Sequence, residues 1–327
     1  MKKATIIKMG IRRRFCKDIG APPRLGGRQI RHQTKASLSP DLPVGQRRGR
    51  EKQMEELKVS IAGDSVMPGE AFLGATPVLR SHAGSQPDLF LRWNAIPLAA
   101  TAIDAVVYLH GFSQQRDAML LTEKVAGSGL DLAGRKRPTI VLLPRGNWLR
   151  YTWYDFPALL AGGIDRLVDY GVERFARAAG RDTPAVDQFI LSAHSGGGMP
   201  AIDAIAGARR APDEFYVFDG LYGRDPAGGD PMGGVEIVDR WLGERLKREP
   251  GRPGALRVVY IEQQTGPFSR KVGELISRHL AAVEPAVAEI CRRRYRVEVA
   301  PVQHSQIARR CLPDLLAEAN VEFDWWR

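Results

Sequence analysis

Cysteine is scarce in this sequence, with three among 327 residues, at positions 16, 291 and 311. None belongs to a CxxC pair and the number is odd, so neither a disulfide framework nor a zinc site is expected. A reducing, cytoplasmic compartment is the default. No run of about 18 apolar residues occurs, which leaves no candidate membrane span. Gly-Lys-[Ser/Thr] is absent, excluding a P-loop, and no HExxH or EF-hand pattern appears, so no metal and no cofactor is predicted. There is no internal repeat.

Net charge is also missing where it would matter most. The chain carries +11, but Met1 to Lys58 hold 16 Lys and Arg against 5 Asp and Glu, which accounts for all of it. The remaining 32 basic and 32 acidic residues cancel, so the folded part has no electrostatic footprint for nucleic acid. Residues 1–56 mix Pro, Gly and Arg without a helical or strand period and read as a disordered basic extension. It has some features of a transit peptide but lacks the apolar stretch of a secretory signal. Upstream sequence ahead of a start at Met54 is an equally plain account. A tail-borne binder of anionic surfaces on an idle scaffold is a rival from another functional class; truncation before Met54 discriminates it.

From position 57 to 327 the chain alternates short apolar runs with helix-period segments, as one α/β domain with a mostly parallel central sheet flanked by helices would. "LKVSIAG" and "DLFLRW" (Asp88 to Trp93) read as edge strands of a leading hairpin or meander. "DAVVYLHG" (Asp104 to Gly111) and "PTIVLLPRG" (Pro138 to Gly146) are continuous apolar runs suited to strands buried on both faces. The helix "GIDRLVDYGVERFARAAG" places Ile164, Leu167, Val168, Val172 and Phe175 on one stripe. Strand "QFILSA", helix "GMPAIDAIAGARR", strand "EFYVFD", a glycine-rich loop from Gly223 to Gly234 that is a candidate lid, and helix "VEIVDRWLGERL" follow. Strand "LRVVYIE", helix "RKVGELISRHLAAV", a further helix carrying Val287 and Ile290, strand "RVEVAPV" and helix "LPDLLAEA" complete the order.

Open α/β sheets bind ligands beyond the carboxyl ends of their strands. The residues there are His110-Gly111-Phe112, Pro144-Arg145-Gly146, His194-Ser195-Gly196, Asp219-Gly220, Glu262-Gln263 and Gln303-His304-Ser305. A serine, two acids and several histidines thus converge on one edge. Ala193-His194-Ser195-Gly196-Gly197 resembles the nucleophile elbow G-x-S-x-G of the α/β-hydrolase fold family, with Ala for the first Gly. The small residues suit a serine held on a strained strand-to-helix turn. The resemblance takes in this elbow, the His-Gly after an earlier strand, the late His and the strand order, which is most of Leu57 to Arg327.

That resemblance implies a serine hydrolase acting on an ester or amide of a small-molecule acyl substrate. Ser195 is the implied nucleophile, and the backbone N–H groups of Gly196 and Phe112 the implied oxyanion hole. Of six histidines, His32 lies in the tail, His82 precedes the central strands, His110 belongs to the oxyanion loop and His279 to a helix. His194 adjoins the nucleophile with its ring expected to point elsewhere. His304 alone follows a late strand, as the family's Ser, acid, His order requires of the base. For the acid, Asp219 is preferred and Glu262 is the alternative, each ending a strand.

The segment "RGNWLRYTWYDF" adds Trp148, Tyr151, Trp153, Tyr154 and Phe156 past a strand tip. With His110, the residues Trp148, Tyr151 and Trp153 are candidate pocket residues; packing an insertion onto the body is the alternative. Arg145 is a candidate partner for a substrate carboxylate.

Gly196, Gly198 and Ala201 also fit the G-x-G-x-x-A dinucleotide fingerprint, with Asp219 as the ribose acid. That reading of an oxidoreductase leaves Ser195, His110-Gly111 and His304 without roles. It also sets the fingerprint unusually late in the sheet.

Overall fold

A computed structural model of the chain describes residues 57–324 apart from 83, 85, 113–119, 149–153, 224–229 and 231. The chain divides into Met1–Glu51 and Lys52–Arg327, and only the second unit contains described residues. The basic extension and Met54 therefore lie outside them.

Eight strands form the central sheet. They are β1 (Gly69–Leu73), β2 (Leu89–Trp93), β3 (Ala102–Leu109), β4 (Thr139–Pro144), β5 (Ala185–His194), β6 (Glu214–Phe218), β7 (Ala255–Tyr260) and β8 (Tyr295–Val299). Their spatial order is β1-β2-β4-β3-β5-β6-β7-β8. All neighbours from β4 to β8 pair in parallel, and β2 pairs antiparallel with both β1 and β4. The apolar runs alternate between two cores with period two. Along β3, Ala105, Val107 and Leu109 enter one core, and Val106 and Tyr108 the other. This is why those strands carry no polar face.

Helices cover both sides. Helices α2 (Gly163–Ala178), α3 (Gly198–Gly207), α4 (Val235–Leu246) and α5 (Gly266–Leu280) bury Phe175, Ile202, Trp241 and Val272 in the first core. Helices α1 (Leu121–Ser128) and α7 (Ile307–Ala317) bury Leu121, Ile307 and Leu312 in the second. A short helix α6 (Pro285–Cys291) stands before β8. This mostly parallel sheet covered by helices is the architecture expected from the sequence. Among the described residues no helix is long and apolar enough to cross a membrane.

Two local expectations change. "LKVSIAG" does not join the main sheet: Ile61–Ala62 pairs with Ser65–Val66, which pairs with Ile96–Pro97. Gly63, at φ 59°, turns the segment back on itself before it can run alongside β2. The outer position goes instead to β1, whose Gly69 packs against the Trp93 ring. Helix α1 was not anticipated, being only eight residues long.

The strand beginnings are fastened by charge. Asp104, 1% exposed near the start of β3, accepts from Arg135 and from Arg137 Nε at 2.6 Å, and from the Gln188 N–H at 3.1 Å. Removing one partner of such a buried pair leaves the others uncompensated, at about 3–5 kcal/mol. Asp104→Ala should therefore lower the urea unfolding free energy by about that amount. A loss under about 1 kcal/mol would mean that the arginines are satisfied by water alone.

Candidate active site

Strand β5 ends at His194 in extended backbone, and the next residue, Ser195, takes φ 53°. A single 3-10 turn over Ser195–Gly197 then leads into α3. A non-glycine residue in the left-handed region is strained, and here it lifts the side chain out of the sheet at the strand-to-helix turn. The glycines around it serve close backbone packing. A Cβ on Gly111 would stand 2.6 Å from the Ser195 Cβ. One on Gly197 would strike the Leu109 carbonyl oxygen, and one on Gly198 that of Gly220.

Ser195, 9% exposed, donates to His304 Nε2 with Oγ 2.8 Å away. His304 opens a 3-10 turn before α7, and its Nδ1–H donates to Asp219 Oδ2 at 2.6 Å. Asp219 is 3% exposed and follows β6 at φ 48°, a region an Asp tolerates better than most residues. Its Oδ1 accepts from the Ile261 N–H at 3.2 Å and from the Thr265 hydroxyl. Burial alone would raise the Asp219 carboxyl, but the hydrogen bonds from His304, Thr265 and Ile261 outweigh it and hold the group below its ordinary value. The three side chains named from the sequence as nucleophile, base and preferred acid are thus brought into one hydrogen-bonded line.

The other candidates separate. Glu262 lies on the surface, paired with Arg270 and accepting from the Tyr260 hydroxyl at 2.8 Å. It makes no described bond to His304. Phe112 is in place beside the elbow: its N lies 3.5 Å from where a Cβ on Gly196 would be.

His110, expected in a substrate pocket, is instead 1% exposed. Its Nδ1–H donates to the Gly111 carbonyl at 3.0 Å and its Nε2 accepts from the Gly146 N–H at 3.0 Å. A neutral ring satisfies both bonds, and burial pushes its pKa down to about 3. It ties two loops together. Arg145 is likewise buried, with its carbonyl accepting from His82 Nδ1–H at 2.8 Å, so it is not poised for a solvent-borne carboxylate. Tyr151 and Trp153 lie outside the described residues, and of Trp148 only the backbone is described, in a short hairpin with Tyr154–Asp155. The 223–234 loop is likewise described only in part.

Several participants were not foreseen. The His194 ring does not point away: it lies 4.8 Å from the His304 ring, and its Nε2–H donates to the His304 carbonyl at 3.1 Å. Burial lowers its pKa to about 4, so it serves as a neutral brace. Tyr222 stands three residues past Asp219; burial raises its phenol above the ordinary value, and the nearby Ser195 side chain offsets part of the rise. Lys124 of α1 donates to the carbonyls of Gly111 and Phe112, at 2.8 and 3.0 Å. None leaves a sequence signal beyond a titratable residue near a strand end, and Lys124 lacks even that.

The dinucleotide reading loses both anchors in this geometry. Gly197 and Gly198 are packed against the carbonyl oxygens of Leu109 and Gly220, and the Asp219 carboxylate is engaged by three donors. Among the described residues no group of three His, Cys, Asp or Glu could hold a metal ion. Cys291 and Cys311 are buried free thiols.

No protein-family model matches the chain, and no curated protein matches it. Solved structures of similar shape include a ferulic acid esterase, at 11% identity and a TM-score of 0.47 over 79% of this chain and 98% of that one. A ferric enterobactin esterase from Salmonella typhimurium follows at 12% identity and 0.40, covering 71% of this chain and 53% of that one, so the chain spans about half its length. A siderophore hydrolase from Aspergillus nidulans gives 15% and 0.37, over 71% and 87%. All three TM-scores fall below 0.5, and the fold is read from the molecule's own sheet.

Both buried imidazoles carry a pH consequence. Their folded values, about 3 for His110 and about 4 for His194, lie below the ordinary 6.5, so the unfolded chain takes up protons first. Stability is therefore lost as pH falls below about 6.5, at up to about 1.4 kcal/mol per pH unit from His110. Melting temperatures recorded from pH 7 to pH 4.5 should decline steadily; a flat profile would mean that His110 is solvated. Sheet order, strained elbow and connecting helices together are those of the α/β-hydrolase fold.

Proposed function

We propose that the protein is a serine hydrolase that cleaves an ester or amide bond of a small acyl substrate through an acyl-enzyme on Ser195. The observation that carries the reading is the unbroken line from Ser195 Oγ to His304 Nε2 at 2.8 Å and from His304 Nδ1 to Asp219 Oδ2 at 2.6 Å.

As Oγ bonds to the acyl carbon, its proton passes to His304 Nε2 and the carbonyl π pair moves onto oxygen. The oxyanion is received by the N–H groups of Gly196 and Phe112, donors each worth about 3–4 kcal/mol in comparable sites. Collapse restores the carbonyl and expels the leaving group, which takes the proton from Nε2. Water then attacks the acyl-enzyme, gives one proton to His304, and the second collapse returns that proton to Ser195 Oγ. Asp219, kept ionised by its hydrogen bonds, holds the imidazole with Nδ1–H toward itself and Nε2 free for the serine. This chemistry needs no cofactor.

Labelling with a fluorophosphonate probe and mapping the adduct should place it on Ser195. Ser195→Ala should abolish hydrolysis of p-nitrophenyl acetate while melting like the parent, and a variant with near-normal turnover would sink the proposal. Asp219→Asn should cost up to about 10⁴ in kcat, because the amide no longer selects the imidazole tautomer. Glu262→Gln should stay within about twofold, since loss of an exposed pair has little effect. Equal losses at both positions would leave the relay without its acid.

A further inference from the structure

Phe112 N–H can serve an oxyanion only if its peptide is held with the hydrogen turned toward the elbow. Residues 113–119, which follow Phe112, lie outside the described residues. Support comes from behind. The Gly111 carbonyl and the Phe112 N–H belong to the same peptide group, and in a trans peptide these two point in opposite directions. Whatever grips the carbonyl on one side therefore aims the N–H on the other.

Two donors grip it. Lys124 Nζ lies 2.8 Å from the Gly111 oxygen, and His110 Nδ1 lies 3.0 Å from the same atom. The Lys124 ammonium also reaches the next carbonyl, that of Phe112, at 3.0 Å. One cation on two successive carbonyls fixes the backbone rotation at Phe112 between them. On the opposite side of the peptide, the Phe112 nitrogen faces Gly196, whose absent Cβ would be 3.5 Å away. Gly111 runs directly behind the nucleophile, close enough that only glycine fits.

We infer that Lys124 is a positioning residue for the oxyanion hole, orienting and polarising the Gly111–Phe112 peptide so that its N–H is aimed at the charge that develops on the substrate oxygen. The inference rests on the serine-hydrolase reading. It adds a residue from α1, which touches neither the nucleophile nor the base by any described bond. A hydrogen bond from a cation is roughly twice as strong as a neutral one, and it draws density from the carbonyl so that the N–H of the same unit becomes a better donor. Burial lowers the Lys124 ammonium to about 8, with Glu123 opposing the shift, which marks a partly dehydrated cation rather than a solvated surface lysine. Its bonds to the two carbonyls stand in place of lost water.

The variants Lys124→Met and Lys124→Arg test this, with p-nitrophenyl acetate as substrate and an alkyl trifluoromethyl ketone as inhibitor. The ketone adds to the serine and places an oxyanion in the hole. Lys124→Met should lower kcat by about tenfold or more, short of the 10²–10³ lost with a whole donor, and leave KM within about twofold. Inhibition by the ketone should weaken by the same factor as kcat/KM, and Lys124→Arg should recover part of both. A merely structural lysine would lower melting temperature or the active fraction titrated by the fluorophosphonate without this parallel. If Lys124→Met does not fold, Lys124→Gln replaces it in the same measurements. Wild-type kcat, or a kcat loss with unchanged ketone affinity, overturns the inference while Ser195→Ala remains inactive. If Ser195→Ala keeps its turnover, the underlying reading fails whatever Lys124 does.

Discussion

The left-handed backbone at Ser195 is the constraint around which the site is arranged. At φ 53° the residue costs about 1–2 kcal/mol relative to ordinary backbone, and the neighbourhood must hold it there. It does so by removing side chains: Gly111 behind the serine, Gly197 against Leu109, and Gly198 against Gly220. A Cβ on Gly220 would in turn stand 2.8 Å from the Ser195 carbonyl oxygen. Gly197 and Gly198 are thus the steric consequence of one turn pressed between the ends of β3 and β6, whereas a Cβ on Gly196 would meet only ordinary contacts with Phe112.

The two edges of the sheet do different work. At the strand beginnings, Asp104 is clamped by Arg135 and Arg137, and Asp213 by Arg245 and Arg252. Those pairs fasten the chain where β3 and β6 start. At the strand ends, polar groups are held one by one through hydrogen bonds, as His304 is when its Nδ1–H donates to Asp219 and its carbonyl accepts from His194, leaving Nε2 to Ser195. Fastening the strands at the far edge lets the near edge carry strained residues, Ser195 and Asp219 among them, without loosening the sheet.

Most of this architecture was legible because the strands from β3 to β7 are apolar on both faces, and such runs admit few other readings. The edge was harder. "LKVSIAG" has the right composition for an edge strand, but a turn at Gly63 folded it away, and β1 took its place with only Leu73 buried. Ser195, His304 and Asp219 were legible because strand ends collect on one rim. His110 and His194 were misread for a shared reason: a histidine at a strand end has two ring nitrogens, and sequence does not say whether both are spent on backbone. Lys124 was invisible, since a lysine on a short amphipathic helix looks the same whether its ammonium meets water or carbonyls.

The preference for Asp219 over Glu262 follows from the spacing of the strands. Ser195 follows β5, Asp219 follows β6 beside it, and Glu262 follows β7, one strand further out. Neighbouring strands are about 4.8 Å apart, so a carboxylate on β7 must span about 10 Å before it meets an imidazole parked on the serine. Asp219 has a short stem and no such distance to cover, and its left-handed φ turns it back toward the sheet. The loop after β7 has another task. It supplies the Ile261 N–H and the Thr265 hydroxyl, both donors to Asp219 Oδ1, while His304 takes Oδ2. The one carboxylate of that loop, Glu262, is turned to the surface and paired with Arg270, away from the first negative charge. The segment after Glu262, "QQTGPFSR", carries no acid, as suits a stretch whose Thr265 donates to its neighbour's carboxylate.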